Sequence, residues 1–500
     1  NLNFLTGLTG VTPDGSLVVP DSMSLKMKME MNGPQYKAKL DLKEGKGSMN
    51  VNAALNSLTE VYTADLKIND LQLHNFLPKD SIYELSLSAD AKGRGLDVMS
   101  YRALAKLNLS LDQLHYARYQ LSNVHLTGAL KGALVTANLT SDNALLKMTT
   151  DAEYNLAHRY PDGKVTVDVT QLDLHELGLM PQPMKRPLAF NLSAEARQNR
   201  VFTHLTSGDM KLNLSARSGV NPLISQSTHF MDVLMKQIDE KALNHAELRE
   251  ALPTAILSFS AGKENPLAYF LATKNISYHD VSMKFGTAPD WGINGKAAVH
   301  ALKMDTLQLD TIFFTVKQDT TLMKLRAGVI NGPKNPQFSF ATTLTGEIRD
   351  RDAELLVDYK NGKGETGVLL GVNARPLFEG HGKGNGIAFT LIPENPIVAF
   401  QRFHFNENHN WIYLHKNMRV YANVDMWDEE GMGFRVHSVP GDTVSLQNID
   451  VEIRRIRLQE ITSVLPYFPE ITGLFSLEAH YIQTEKDLQL SAEASVDELT

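Results

Sequence analysis

The chain has 500 residues, 43% of them hydrophobic and 21% charged, so it can bury apolar surface and is not a disordered polymer. A formal net charge of -8, with no Lys/Arg cluster, argues against nucleic acid as a partner, because phosphate neutralisation dominates that affinity. The absence of cysteine excludes disulfides, thiolate nucleophiles and Cys-based zinc sites, and leaves the redox compartment open.

The chain starts Asn1-Leu2-Asn3-Phe4, without an initiating Met or a signal-peptide pattern, and reads as an internal window of a longer protein. No apolar run approaches the roughly 18–20 residues of a membrane span. From Ser16 to about Val220 short strands follow one another. Met23, Leu25, Met27, Met29 and Met31 are interleaved with Ser24, Lys26, Lys28 and Glu30. The same beat returns at Leu85–Ala91, at Phe190–Ala196 and at Leu488–Val496. Successive side chains on a strand point to opposite faces, so each segment has one apolar and one polar face. Turns are expected at Asn32-Gly33-Pro34, Gly45-Lys46-Gly47, Lys92-Gly93-Arg94-Gly95 and Pro161-Asp162-Gly163.

The one clear break runs from Asn221 to Pro253. Asn221 reads as an N-cap with Pro222 at the first helical position. Phe230, Leu234 and Ile238, spaced by four, share a face. Asn244 with Glu247 reads as the cap of a second short helix that Pro253 ends. This helical insertion is expected to cap or plug the sheet; the sharper reading is a gate. The expected organisation is therefore a strand-repeat segment over 1–220, a helical insertion over 221–253 and a second strand-repeat segment over 254–500.

A spaced unit recurs. One copy runs Leu66-Lys67-Ile68, Leu71-Gln72-Leu73, Leu77-Pro78, then Leu85-Ser86-Leu87. The second runs Val167-Asp168-Val169, Leu172-Asp173-Leu174, Met180-Pro181, then Phe190-Asn191-Leu192. The third runs Val451-Glu452-Ile453, Ile456-Arg457-Leu458, Leu465-Pro466, then Phe475-Ser476-Leu477. Each reads as a strand pair, a Pro-ended turn and another strand, stacked along one axis.

This unit resembles the AsmA-like/TamB family of bacterial envelope proteins, in its Bacteroidetes branch. Ser207-Gly208-Asp209-Met210-Lys211-Leu212, Leu391-Ile392-Pro393-Glu394-Asn395-Pro396 through Ile412-Tyr413-Leu414-His415, and Glu460–Pro466 carry the likeness, which extends over essentially all 500 residues. The resemblance implies an all-β, elongated, curled sheet with an apolar groove. It implies a periplasmic location, with an inner-membrane anchor outside this segment and membrane contact through the missing termini. It implies a phospholipid cargo carried between the two membranes, and support of outer-membrane protein assembly beside a barrel partner of the TamA/BamA type. Stacking of about 30 strands at about 4.8 Å gives a bridge-like length of about 140 Å.

Alternation selects the candidate lining residues of that groove: Met27, Met29, Leu40, Leu42, Leu85, Leu87, Leu107, Leu109, Leu192, Leu212, Leu214, Phe340, Phe389, Val420, Val424, Phe434 and Val436. The same alternation would fill a closed, dry β-solenoid with a structural or adhesive role, so that reading stays open. A carbohydrate-active β-helix is a more distant one, weakened by a content of only 3 Trp.

Other signals are read as structural. Gly380–Gly386 is followed by a strand rather than a helix, so it is a hairpin and not a phosphate loop. His404, His409 and His415 lie around Trp411 at spacings that match no helical zinc pair, and no metal is expected. Asp350, Asp352 and Glu354 read as a solvated turn rather than a glycosidase pair or calcium loop. Asn108, Asn138, Asn191 and Asn213 fit the N-glycosylation sequon only because strands alternate. Asp21-Ser22-Met23, Asp80-Ser81-Ile82, Asp305-Thr306-Leu307, Asp310-Thr311-Ile312 and Asp442-Thr443-Val444 resemble the Asp-Ser/Thr-apolar site of Bacteroidetes O-glycosylation. No cofactor motif or catalytic constellation is found, and the expectation is a non-enzymatic protein.

Overall fold

A computed structural model describes residues 18–498, apart from 21, 180–182, 184–186, 241–242, 378–385, 416–417, 443–444 and 465–470. The fold is all-β: thirty strands, with four α-helices among the described residues. The helices are α1 (Val220–Asp239), α2 (His245–Glu250), α3 (Pro266–Ala272) and α4 (Leu458–Val464). No helix among these residues is long and apolar enough to cross a membrane. The chain divides into two units at Pro222/Leu223, which places most of α1, and all of α2, with the second unit.

In the first unit every strand from Met23–Asn32 to Met210–Ala216 pairs antiparallel with its neighbour in sequence. Tight hairpins make this possible. Gly132-Ala133 and Gln198-Asn199 are two-residue loops with φ of 58°, 68°, 47° and 62°, the positive pair whose twist matches the flanking strands. The turns expected at Gly33 and Gly45 are present. The one expected at Lys92–Gly95 is not: Lys92, Gly93 and Arg94 continue the strand Ile82–Arg94. Gly93 is needed there because a Cβ would stand 2.4 Å from the Tyr62 ring, which lies across it.

The second unit follows the same rule from Ala255–Ala261 to Leu488–Asp497. Two short strands are skipped among the described residues: Ala255–Ala261 pairs with Asp280–Ala288 while Ile276–Ser277 pairs with Gly292–Met304, and Gly386–Val398 pairs with His404–His415 past Gln401–Arg402. Among the described residues no pairing joins the last strand of either unit back to its first, so neither is a barrel.

The recurring sequence unit proves to be a β-bulge. The expected strand pairs Leu66–Ile68/Leu71–Leu73 and Val451–Ile453/Ile456–Leu458 are each one bulged strand, followed by a helical turn. Register slips between Ile68 and Leu71, between Val169 and Leu172, and between Ile453 and Ile456. The extra residue keeps side chains three apart on the same face, which period-two reading takes for a new strand. In the first and third copies the bulge residue has positive φ (Asp70 47°, Arg455 52°). Its N–H donates to the serine of the next strand, Asp70 to Ser86 Oγ at 2.8 Å and Arg455 to Ser476 Oγ at 3.1 Å.

Close approach to a glycine also shapes the second unit. Phe285 lies over Gly295, its cross-strand partner, and stacks on Phe314 at 6.3 Å. A Cβ on Gly295 would be 2.0 Å from Phe285 Cδ1. Gly295→Ala is expected to destabilise the protein by about 1–3 kcal/mol by displacing that ring, read by urea unfolding; an unchanged midpoint would mean the ring moves aside freely.

Candidate functional site

Directly opposed residues of an antiparallel pair share a face. Following the register strand by strand through the first unit therefore traces one line across it. That line is Met27, Leu40, Val51, Leu66, Ala89, Leu109, Leu126, Leu139, Thr150, Val167, Leu192, Leu205 and Leu212. Every strand contributes, and only Thr150 is polar; its hydroxyl oxygen is buried without a hydrogen-bond partner. Shifting each strand by one residue gives the opposite face: Lys28, Lys39, Asn52, Asp65, Asp90, Asn108, Thr127, Asn138, Asp151, Thr166, Ser193, His204 and Asn213. No apolar residue enters this second line.

All the first-unit candidates lie on the apolar face. Met29, Leu42, Leu85, Leu87, Leu107 and Leu214 flank the central line at even spacing, and the bulge keeps Leu85 in phase with Leu71. Among the described residues no second layer covers the whole face: Met27 and Met29 of the first strand are 62% and 67% exposed, the rest of the line is half-buried, and Ile68, Leu71, Leu130 and Val169 of the same face are buried. The asparagines of the sequons lie on the polar face. Two shallow hollows of about 490 and 550 Å³ are also on that polar side, lined by residues such as Lys106, Asn138 and Asp151, and Asp65, Ser88 and His125. The candidates thus share one face, and the two hollows open on the other, where Leu66, Ala89, Leu109 and Leu126 also contribute to the lining of the larger one.

The second unit has its own apolar line through Phe259, Met283, Ala297, Phe314, Ala327, Leu344, Val357 and Leu370. Phe340 is in phase with Leu344 and contacts Tyr359 at 6.1 Å. Phe389 pairs with Ala374 and Ile412, Val420 with Leu414, and Val436 with Val424 and Val451. Two candidates are not free to line anything. Val424 is 1% exposed, and Phe434 packs against the core of Phe403, Met426 and Met432. Alternation gives the face of a residue, but not whether a neighbouring loop folds over it.

The helical insertion is locked onto strand ends. Helix α1 begins at Val220, earlier than expected, so Asn221 and Pro222 lie inside it. Asn244 caps α2 as expected, its side chain accepting the Glu247 N–H at 3.1 Å. Phe230 and Leu234 pack with Val233, Leu248, Ala251 and Met323. Buried His245 completes the join. Ile293 N–H donates to Gln318 Oε1 at 3.1 Å, Gln318 Nε2 lies 3.2 Å from His245 Nδ1, and His245 Nε2 lies 3.0 Å from the Ile348 carbonyl. These partners require His245 to accept at Nδ1 and donate at Nε2.

Ile238 does not join that cluster. It lines a recess of about 280 Å³ with Leu243, Ile348, Ala353, Ala374, Pro376 and Ile387. The recess continues the apolar face, since Ile348 pairs with Ala353, Ala353 with Ala374, and Pro376 with Ile387. Its rim is charged: Arg349 pairs with Glu347 at 2.5 Å and with Asp352 at 3.2 Å.

The histidine grouping differs from the sequence expectation. His404 and His415 stand at opposite ends of the strand His404–His415. His409 instead meets Asp425 and His437 from the next two strands. A bulge causes this: Phe405 pairs with Met426 and Asn410 with Val424, so residues 406–409 stand opposite Asp425 alone. Asp425 is buried. It accepts from Asn406 Nδ2 at 2.5 Å, from Arg435 at 3.3 Å and from the Trp427 indole. Burial pushes its carboxyl pKa up, but the Asn406 and Arg435 hydrogen bonds, the Arg435 charge and Trp427 outweigh that and hold it below the usual value. Burial, then the Arg435 charge, lowers the His437 imidazole.

Of the remaining sequence candidates, Asp21, Gly380–Asn385, Thr443 and Val444 lie outside the described residues. Asp350 and Asp352 form a turn in which Asp350 accepts the Leu243 N–H through its backbone carbonyl. Asp80-Ser81 and Asp305-Thr306 are in turns, whereas the Asp310 carboxylate is engaged by Gly332 N–H and Asn335. In comparisons with known proteins, no family model, no curated protein and no solved structure matches the chain.

Proposed function

We propose that this chain is a non-enzymatic lipid-transfer bridge of the AsmA-like/TamB kind, whose apolar face carries phospholipid acyl chains across the periplasm. The reading includes an inner-membrane anchor and an outer-membrane barrel partner of the TamA/BamA type, both reached through parts of the protein outside this segment. The observation that carries it is the apolar line, half-buried rather than fully buried beyond Met27, that every strand of the first unit joins, from Met27 to Leu212.

The energetics ask for such a line. At about 0.8 kcal/mol per CH₂, a 16-carbon chain exposed to water costs on the order of 12 kcal/mol. A surface that keeps the chain covered at each step removes most of that barrier. Repeated Leu, Val, Met and Ala at strand spacing does so without binding sites deep enough to trap the cargo. The apolar recess with its charged Arg349/Glu347/Asp352 rim suits an amphiphile in the same way. A filled solenoid is disfavoured because the line from Leu40 to Leu212 is half-buried and not fully buried, although Ile68, Leu71, Leu130 and Val169 beside it are covered.

The test places a photo-crosslinking residue at Leu109 and, separately, at Asn108 of the opposite face. Irradiated cells are expected to give phospholipid adducts at Leu109 and not at Asn108, read by mass spectrometry. Absence of adducts at both, in a folded protein, would overturn the reading.

A further inference from the structure

We propose that His409, Asp425 and His437 form a binding site for one divalent transition-metal ion of the zinc class. One ligand atom from each residue lies within 4.8 Å of the others, across three adjacent strands. His409 Nδ1 and His437 Nε2 are both buried with no hydrogen-bond partner. So is Oδ1 of Asn423, the residue that pairs with His437. Buried imidazole nitrogens without partners are costly, and the two here, beside the Asp425 carboxylate, are the donor atoms a soft cation takes.

The backbone is arranged for this. The four-residue excursion 406–409, with Asn408 at φ 61°, aims both Asn406 and His409 at Asp425. His409 Nδ1 is already 3.6 Å from Asp425 Oδ2. Bonds of about 2.0–2.2 Å to a tetrahedral ion place donor atoms roughly 3.4 Å apart, so the widest pair needs to close by up to about 1.4 Å. Asn406 and Trp427 hold the carboxylate in place from outside, as supporting partners do at metal sites.

The ligand set selects the ion. Two imidazoles and one carboxylate suit Zn²⁺, Ni²⁺ or Cu²⁺ and not a hard, oxygen-seeking cation. Arg435 and Arg454 offset Asp425 and Glu452, so the selection rests on the two imidazole donors and not on negative charge. The ion would tie the bulge of the first strand to the two behind it. Nothing in this assignment depends on the lipid reading.

The test uses the whole chain after chelator treatment. Calorimetric titration with Zn²⁺ at neutral pH is expected to show one tight site and a raised Tm, with no response to Mg²⁺. His409→Ala and His437→Ala are each expected to weaken zinc at least about 10–100-fold. His409 is 41% exposed at its side chain, so its variant remains readable if His437→Ala fails to fold. No stoichiometric zinc binding would overturn the proposal, as would binding that both variants retain, which would put the ion at other histidines.

Discussion

Leu109→Asp is expected to cut phospholipid adducts on the apolar face at least about tenfold while costing only about 1–2 kcal/mol of folding stability. Leu109 is half-buried in the middle of the first unit's apolar line, between Ala89 and Leu126. On an open face its carboxylate reaches water, so the fold avoids most of the penalty for a buried charge. An acyl chain lying over the same position would strip that water and meet the full cost of desolvating the carboxylate. Each 1.4 kcal/mol of that cost lowers occupancy tenfold. In a closed interior the ordering reverses: the same change would cost about 3–5 kcal/mol of stability, as any uncompensated buried charge does. Urea unfolding paired with crosslinking from a second site such as Leu126 separates the two. Heavy destabilisation, or undiminished adducts, would count against an open, lipid-occupied face.

His245→Ala is expected to cost about 3 kcal/mol and to release α1 and α2 from the strand ends. The substitution takes from Gln318 Nε2 and from the Ile348 carbonyl the partner that His245 supplies and opens a cavity where the buried imidazole stood. The loss should be regional. Hydrogen exchange is expected to speed across 220–250 and at the ends of the strands Leu307–Gln318 and Phe340–Ile348, while the first unit keeps its protection. Uniform loss of protection would mean that the insertion is part of the cooperative core and not a separable cap.

Period-two alternation is enough to place the seventeen candidate residues on the apolar face of their own unit, because side-chain direction on a strand depends only on parity. It also supports the line beyond them: Val51, Leu66, Leu126, Leu139, Val167 and Leu205 follow the same rule. Three kinds of feature stay hidden. The bulges at Ile68/Leu71, Val169/Leu172 and Ile453/Ile456 break parity without a Gly or Pro to mark them all, so single strands read as pairs. Coverage of Phe434 depends on tertiary packing around Phe403, which lies outside the regular strands, and the burial of Val424 is equally invisible to alternation. The cluster of His409, Asp425 and His437 depends on a bulge and two cross-strand registers, and separations of 16 and 12 residues have no helical or motif meaning. The short helices α3 and α4 also escape the sequence reading, although the Asn265 cap with Pro266 is a legible start signal for α3.

Pairing of each strand with the one made just before it has a kinetic consequence. Nearly all stabilising contacts are local in sequence, so the loop entropy of each new strand is that of a hairpin and not of a distant closure. A chain of this design can assemble in order of emergence, each strand templating its successor's register, with no final strand needed to complete it. Such pairing lets folding proceed as growth from one end. A register error, once made, would be inherited by every strand that follows it.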